Sequence, residues 1–287
     1  MKNYSLQVLQ STPIQRTKIE NYLVDVKRED LCLTSEDGPP FSKMRGLFQR
    51  LKMLETLHVK TVGYTETSIS MAGWGVAWLG AMIGMKVVIF NPVYKTPQPV
   101  LERHREHWKK WGADIIDIKA GMARVNFNIS KKILFQKYPP TPYMLPLGLT
   151  LPETVTETGL ELTRTLNIEK YKSIVVNVGS GTICAGILSG LIALSLPTHV
   201  YGIMGRKGNK AIKRKKIIGS IKKSAFAPSF PTLTLIDPGY QYTDSVEIET
   251  PFPCNKYYDK KAWKWLVENI LIIEHPVLFW NIGKDTP

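Results

Sequence analysis

Two short stretches carry residues with the means to do chemistry. In "GPPFSKMRGLFQR", residues 38 to 50, a lysine stands on the turn between a Gly-Pro-Pro break and an amphipathic helix, with Arg45 and Gly46 directly behind it. Lys43 there is either a solvated charge or a reactive amine, and the stretch alone leaves both open. By simple geometry Arg45, two residues on, faces the other side of the turn, where pairing with a carboxylate suits it better than chemistry. In "VVNVGSGTICAGILSGL", residues 175 to 191, a strand ends at Gly179 and an apolar helix starts near Ala185. Unpaired backbone N–H groups and the positive end of the helix make such a turn an anion cradle. Gly179 and Gly181 let the main chain approach a phosphate, while Ser180 and Thr182 offer hydroxyl donors. The turn lacks a P-loop lysine and the full dinucleotide spacing, so ATP and NAD are weak readings.

Other polar groups point to less. His104 and His107 share a helix beside Arg103, Arg105 and Lys109, without a third ligand to suggest a metal, and are expected at the surface. Trp263 and Trp265 beside Lys260, Lys261 and Lys264 combine rings and charge, but a C-terminal amphipathic helix packing its tryptophans explains them better. Cys32, Cys184 and Cys254 are odd in number and widely spaced, which suits reduced thiols in a cytoplasmic setting and supports no zinc site.

The elements that position these groups alternate. Strands are expected at 61–65, 86–92 and 113–119, with helices at 71–83 and 100–111 between them. A second run has helices at 153–166 and 185–194, strands at 173–179, 199–205 and 232–237, and a basic helix before the last of these. The four prolines of "YPPTPYMLPLG", 138 to 148, break the chain between the runs and should forbid regular structure. This βαβαβ pattern predicts an α/β protein with mostly parallel twisted sheets layered by helices and a cleft between two layers. The longest apolar stretch, "MAGWGVAWLGAMIGMKVVIF", is Gly-rich and runs into a strand, and "MKNYSLQVLQ" lacks the regions of a signal peptide, so neither a membrane span nor secretion is expected.

The charge is unusual. With 38 Lys and Arg against 24 Asp and Glu the net charge is +14. "GRKGNKAIKRKKIIGSIKK", 205 to 223, holds nine basic residues and no acid. Such a block attracts polyanions without reading their sequence, or it is only a solvated helix face.

Taken in order, the motifs resemble a family. "VDVKREDLCLTSEDGPPFSKMRGL" is similar to the opening of pyridoxal-phosphate enzymes of fold type II, in the group of D-cysteine desulfhydrase and aminocyclopropane-carboxylate deaminase, where "KREDL" precedes a "GGNKxR" turn carrying the Schiff-base lysine. "GSGTICAG" resembles that group's phosphate loop, "YYDKKAWKWL" its "DPVYTGKAMxGL", and "PVLFWNIGK" its last strand "ILFIHTGG". The likeness runs in register from about Tyr22 to Gly283. It implies a two-domain fold, with a large cofactor domain over 1–45 and 149–287, a small domain over 46–148, and a homodimer.

The resemblance also implies roles. Lys43 would hold pyridoxal 5'-phosphate and move protons at the substrate α-carbon; Gly179, Ser180, Gly181 and Thr182 would hold its phosphate. Thr67, Ser68 and Ser70 fall in the loop that grips a substrate carboxylate, with Ser70, Tyr240 and Tyr258 as further catalytic candidates. The chain departs from the pattern at Met71, where the family has an asparagine, at Ile282, where a threonine meets the pyridine nitrogen, and at Thr182 and Ile183 in place of Gly-Thr. Either Asn281 substitutes at the nitrogen, the chemistry differs from the relatives', or the site is decayed.

The function implied is a lyase or deaminase acting on the α-carbon of an amino acid, by elimination, deamination or decarboxylation. The basic segment 206–223 adds a specific expectation: an amino acid attached to a nucleic-acid base, as in viral DNA hypermodification, with the chain itself virus-encoded and DNA a partner. A lyase for free small amino acids and a non-catalytic nucleic-acid-binding relative are the alternatives.

Overall fold

The computed structural model describes residues 11–33, 37–221 and 231–286. Lys222 and Lys223, which end the basic segment, and the opening stretch 1–10 lie outside them. The chain divides into two compact units: Met1–Thr34, Pro40–Gly46 and Pro152–Pro287 form one, and Ser35–Pro39 with Leu47–Leu151 the other.

The chain enters the first unit through an antiparallel pair, β1 (Ile14–Ile19) and β2 (Tyr22–Arg28), and begins helix α1 (Met44–Thr56) directly after Lys43. The second unit follows in strict alternation: β3 (Thr61–Thr65), α2 (Ala72–Ile83), β4 (Lys86–Val93), α3 (Pro99–Lys110), β5 (Asp114–Lys119), α4 (Ala123–Lys137) and β6 (Tyr143–Met144). Its sheet is wholly parallel, in the order β5-β4-β3-β6. The short β6 corrects the expectation that the prolines of 138–148 exclude regular structure. Tyr143 and Met144 fall between Pro142 and Pro146, and Leu145 can still donate its N–H to the Gly63 carbonyl at 2.9 Å. Leu134 of α4 packs with Val88, Phe90, Ile118 and Met144 in this unit's core.

The chain then completes the first unit with α5 (Pro152–Thr163), β7 (Ser173–Val178), α6 (Thr182–Ala193), β8 (His199–Met204), α7 (Lys210–Ser220), β9 (Leu233–Ile236), α8 (Asp259–Asn269) and β10 (Val277–Asn281). The sheet order is β1-β2-β10-β7-β8-β9, parallel apart from β1. β7 and β10 are buried along their whole length, as near-continuous apolar runs in a two-sided parallel sheet must be. α5 and α6 cover one face; the other is covered by α8, through Trp263 and Leu266. From β7 the chain moves one way to β8 and β9, and β10 later fills the place on its other side. That reversal opens a crevice at the carboxyl ends of the strands, where ligands bind in sheets of this kind.

α5 and α6 approach closely because glycine faces the contact. A Cβ at Gly186 would lie 2.4 Å from the Cβ of Thr158 and 2.8 Å from the Val155 carbonyl oxygen. A Gly186→Ala chain should therefore lose about 1–3 kcal/mol of stability, visible as an earlier urea transition; an unchanged midpoint would show that the helices separate freely.

Candidate active site

The expected functional turn begins where β7 ends. Gly181 sits at φ +96°, a left-handed conformation that glycine adopts without strain, and α6 starts one residue later at Thr182, three residues before the expected start. The N-cap glycine has no side chain to cap this helix, and Ser180 Oγ accepts the Thr182 N–H at 3.4 Å. The Ser180 and Thr182 hydroxyls lie 2.9 Å apart. Lys43 reaches the same place from a segment 137 residues earlier: its Nζ donates to Ser180 Oγ at 3.1 Å. The amine and the glycine-rich turn thus share one corner of the first unit. Burial pushes the Lys43 ammonium down to about 8, helped by the positive charges of Lys216 and Lys213.

The turn carrying Lys43 is pinned at both ends. Ser42 donates its N–H to the Ile282 carbonyl at 3.0 Å, and Phe41 bridges to Gly283, tying the turn to the end of β10. That end is itself held by Asp259, whose buried carboxylate accepts the N–H groups of Ile282 and Gly283, each at 3.2 Å. Beyond Lys43, the fully buried Arg45 pairs with Glu29 at 3.2 Å and Glu161 at 3.5 Å, the carboxylate partnership expected for it. Lys27 adds a second buried cation, 2.6 Å from Glu161.

The remaining candidates of this unit gather at the same strand ends. Tyr240 follows β9, and its carbonyl accepts the Lys207 N–H at 2.6 Å. Tyr258 caps α8, its hydroxyl 3.2 Å from that of Tyr242 and its carbonyl accepting from Asn177 at 2.7 Å. Asn281 is fully buried, and its amide nitrogen is committed to Asp30 at 2.9 Å and the Pro253 carbonyl at 3.0 Å. Its Oδ1 has no hydrogen-bond partner among the described residues.

The hydroxyl-rich loop of the second unit has a member the sequence reading passed over. Glu66 is buried, and its carboxylate accepts the Thr67 N–H at 2.9 Å and the Gly73 N–H at 2.5 Å, filling the start of α2. The Ser70 hydroxyl bonds Glu66 as well, and Ser70 Oγ accepts the Ala72 N–H at 3.1 Å. Ser68 is buried and hydrogen-bonded to Tyr94. Of the residues expected to grip a substrate carboxylate, Thr67 through its N–H and Ser70 through its hydroxyl are engaged by Glu66, and Ser68 by Tyr94. A single acid in the loop "TETSIS" ahead of an apolar helix is the signal that marks Glu66.

His104 corrects a second expectation. Rather than lying at the surface it is buried with Leu101 and Trp108, because positions 101, 104 and 108 form one stripe of α3. Burial pulls its imidazole down to about 4. His107 stacks on Trp74 at 3.6 Å between ring centres. Among the described residues no group of three or more His, Cys, Asp or Glu could hold a metal, and no helix is long and apolar enough to cross a membrane.

A lysine with a depressed pKa beside a glycine-rich turn at a helix start, at the carboxyl edge of a parallel sheet, is a site suited to an aldehyde cofactor bearing a phosphate. The chain belongs to the pyridoxal-phosphate dependent enzyme family, whose model matches residues 42–247. It is similar to the glycyl-dTMP PLP-dependent decarboxylase of Pseudomonas phage M6, 34% identical over 288 residues that cover 96% of this chain and 100% of that one. A Thermotoga maritima protein with a provisional assignment as 1-aminocyclopropane-1-carboxylate deaminase is 25% identical over 302 residues, covering 96% of this chain and 94% of that one. Among solved structures, an ACC deaminase homologue superposes with a TM-score of 0.78 at 20% identity, over 99% of this chain and 95% of that one. The fold is accordingly fold type II of the pyridoxal-phosphate enzymes, near the ACC deaminase group, and the cofactor is pyridoxal 5'-phosphate.

Two pH responses follow from these environments. Reaction of Lys43 in the cofactor-free chain with an amine-selective reagent should rise through a midpoint about 8, and Lys216→Ala should move that midpoint upward by removing a like charge; a midpoint at the ordinary lysine value of about 10.4 would contradict the burial. Burial, against the hydrogen bonds it accepts, pushes Glu66 up to about 8. A proton held only in the fold stabilises it fully below the ordinary glutamate value of about 4.3, and that contribution is lost as pH rises through the folded value. Thermal melts should therefore decline across this window, and less steeply in Glu66→Gln; parallel curves would refute the assignment.

Proposed function

We propose that the protein decarboxylates an amino acid carried on a pyrimidine nucleotide, in the hypermodification of viral DNA. The observation that carries this reading is the 34% identity, over nearly both full lengths, with a phage decarboxylase whose name gives a glycyl nucleotide as its substrate. The bound cofactor supplies an electron sink for the pair released when a bond to the α-carbon breaks. The chain supplies the rest. Lys43 carries the cofactor and returns a proton to the α-carbon after carbon dioxide has left. Gly179, Ser180, Gly181 and Thr182 hold the cofactor phosphate at the start of α6, where backbone N–H groups and the helix dipole favour a dianion. Tyr240 and Tyr258 line the strand ends beside it, and Asn281 keeps one acceptor, Oδ1, for the ring side.

The loop of Thr67, Ser68 and Ser70 supports decarboxylation over reactions that retain the carboxylate. Deamination and elimination keep that group and profit from donors that neutralise it; here the Thr67 and Gly73 N–H groups and the Ser70 hydroxyl already serve Glu66. A carboxylate that must depart has no need of such a grip. The segment 206–223 is then a rim for the polyanion that bears the substrate. Arg206, Lys207, Lys210, Arg214, Lys215 and Lys216 are all exposed.

The test is an oligonucleotide carrying glycine on a thymine methyl group, compared with the corresponding mononucleotide and with free amino acids. The expected product has lost one carbon dioxide and kept its amine, and Lys43→Ala slows its formation by about 10²–10⁴-fold. For the oligonucleotide, kcat/KM should fall steeply with salt. Release of ammonia, or turnover of free amino acids alone, would overturn the reading.

A further inference from the structure

The geometry points to Lys213 of α7 as a cation of the cofactor site, one that selects the phosphorylated cofactor over its dephosphorylated form. The inference rests on the reading that places the cofactor phosphate at the 179–182 turn. α7 is seated against that turn: a Cβ at Gly181 would meet Ile217 Cγ1 at 2.7 Å and Lys213 Cδ at 3.9 Å, and Ile217 is buried. The start of the helix is fixed by Asn209, whose Oδ1 accepts the Ile212 N–H at 3.0 Å. From its first turn Lys213 reaches back, and its Nζ donates to the Gly179 carbonyl at 2.6 Å.

That hydrogen bond answers a problem posed by any phosphate turn. The N–H groups of such a turn attract an anion, but a carbonyl at its first residue presents lone pairs that repel one. An ammonium on that carbonyl cancels the repulsion and leaves a net positive charge beside the turn. The charges around Lys213 do not explain it otherwise. It makes no ion pair among the described residues, and the charged groups that bear on it, Lys216 and Arg206, are positive. Lys43 in turn feels Lys216 and Lys213. Three ammonium groups gathered about one turn repel each other, and a phosphate dianion is the ligand that turns this cost into binding energy. Within the basic block Lys213 and Lys216 are thereby the lysines that act on the turn.

The test is titration of the full chain with pyridoxal 5'-phosphate and, separately, with pyridoxal, read by cofactor absorbance and tryptophan fluorescence. Lys213→Met should weaken binding of the phosphorylated cofactor about 10–100-fold, the range of a charge-assisted hydrogen bond, and leave pyridoxal binding unchanged. Lys213→Arg should retain most of the preference, and thermal melts of both variants identify any loss of fold. Equal affinity of Lys213→Met and the parent for the phosphorylated cofactor, or an equal loss for both ligands, would overturn the assignment. Ser180→Ala separates the two levels. If it weakens the phosphate preference while Lys213→Met does not, only the role of Lys213 falls; if neither variant changes it, the placement of the phosphate at this turn falls as well.

Discussion

The site depends on a charge cluster that water does not reach. Arg45 and Lys27 face Glu29 and Glu161 in the interior of the first unit, two cations against two anions, all essentially without solvent exposure. Thr12 completes it, bonding Glu29 with its hydroxyl and Glu161 with its N–H. A neutral cluster of this kind adds little net stability compared with an apolar core, yet removing one member strands a buried charge at a cost of about 3–5 kcal/mol. Its value is therefore positional. Arg45 lies two residues from Lys43, so the cluster fixes the start of α1 from one side while Asp259, through Gly283, fixes the preceding residues from the other. The lysine extends from a turn that cannot shift without breaking charged contacts.

Two helix starts show how one physical device serves opposite ends. At α6 the chain approaches through Gly181 in a left-handed conformation, and the Thr182 N–H meets the neutral Ser180 hydroxyl at 3.4 Å. At α2 the buried Glu66 takes the Gly73 N–H, and glycine is required there: a Cβ would lie 2.5 Å from Glu66 Oε2 and 3.0 Å from Trp108 Nε1. The backbone dipoles are alike. What differs is the group that meets them: at α2 a buried carboxyl that holds its proton up to about pH 8, at α6 a neutral hydroxyl.

Much of this was legible in the sequence because it rests on local pattern. The strand at Thr61–Thr65 and the starts of the β4 and β7 strands coincide with their expected positions, since short β-branched runs between turn residues have few other conformations open to them. The pairing of Arg45 with carboxylates follows from its spacing to Lys43. What failed to read from the sequence depends on neighbours remote along the chain. β1 and α4 lack a clean period, β6 exists because Gly63 leaves room and a carbonyl beside it, and His104 looks polar until α2 is set against α3. Glu66 and Lys213 share that difficulty. Each is a charge whose meaning is set by the backbone group it touches, and a linear sequence of hydroxyls or lysines does not name that group.

The basic block illustrates why position outranks count. At physiological ionic strength a charge is felt over about 8 Å in water, so an exposed cation such as Lys210 or Lys215 acts weakly on anything that is not itself a dense polyanion. Lys213 differs because it is partly withdrawn from solvent and hydrogen-bonded to the turn it serves. Added salt therefore separates the two groups by physics alone. Outer lysines lose their hold on a strand of phosphates as counterions compete, whereas an ammonium fixed on the Gly179 carbonyl would act on a phosphate at the proposed turn from well inside the screening length. On the function proposed above, this arrangement would let the chain release a nucleic acid and retain its cofactor under the same conditions.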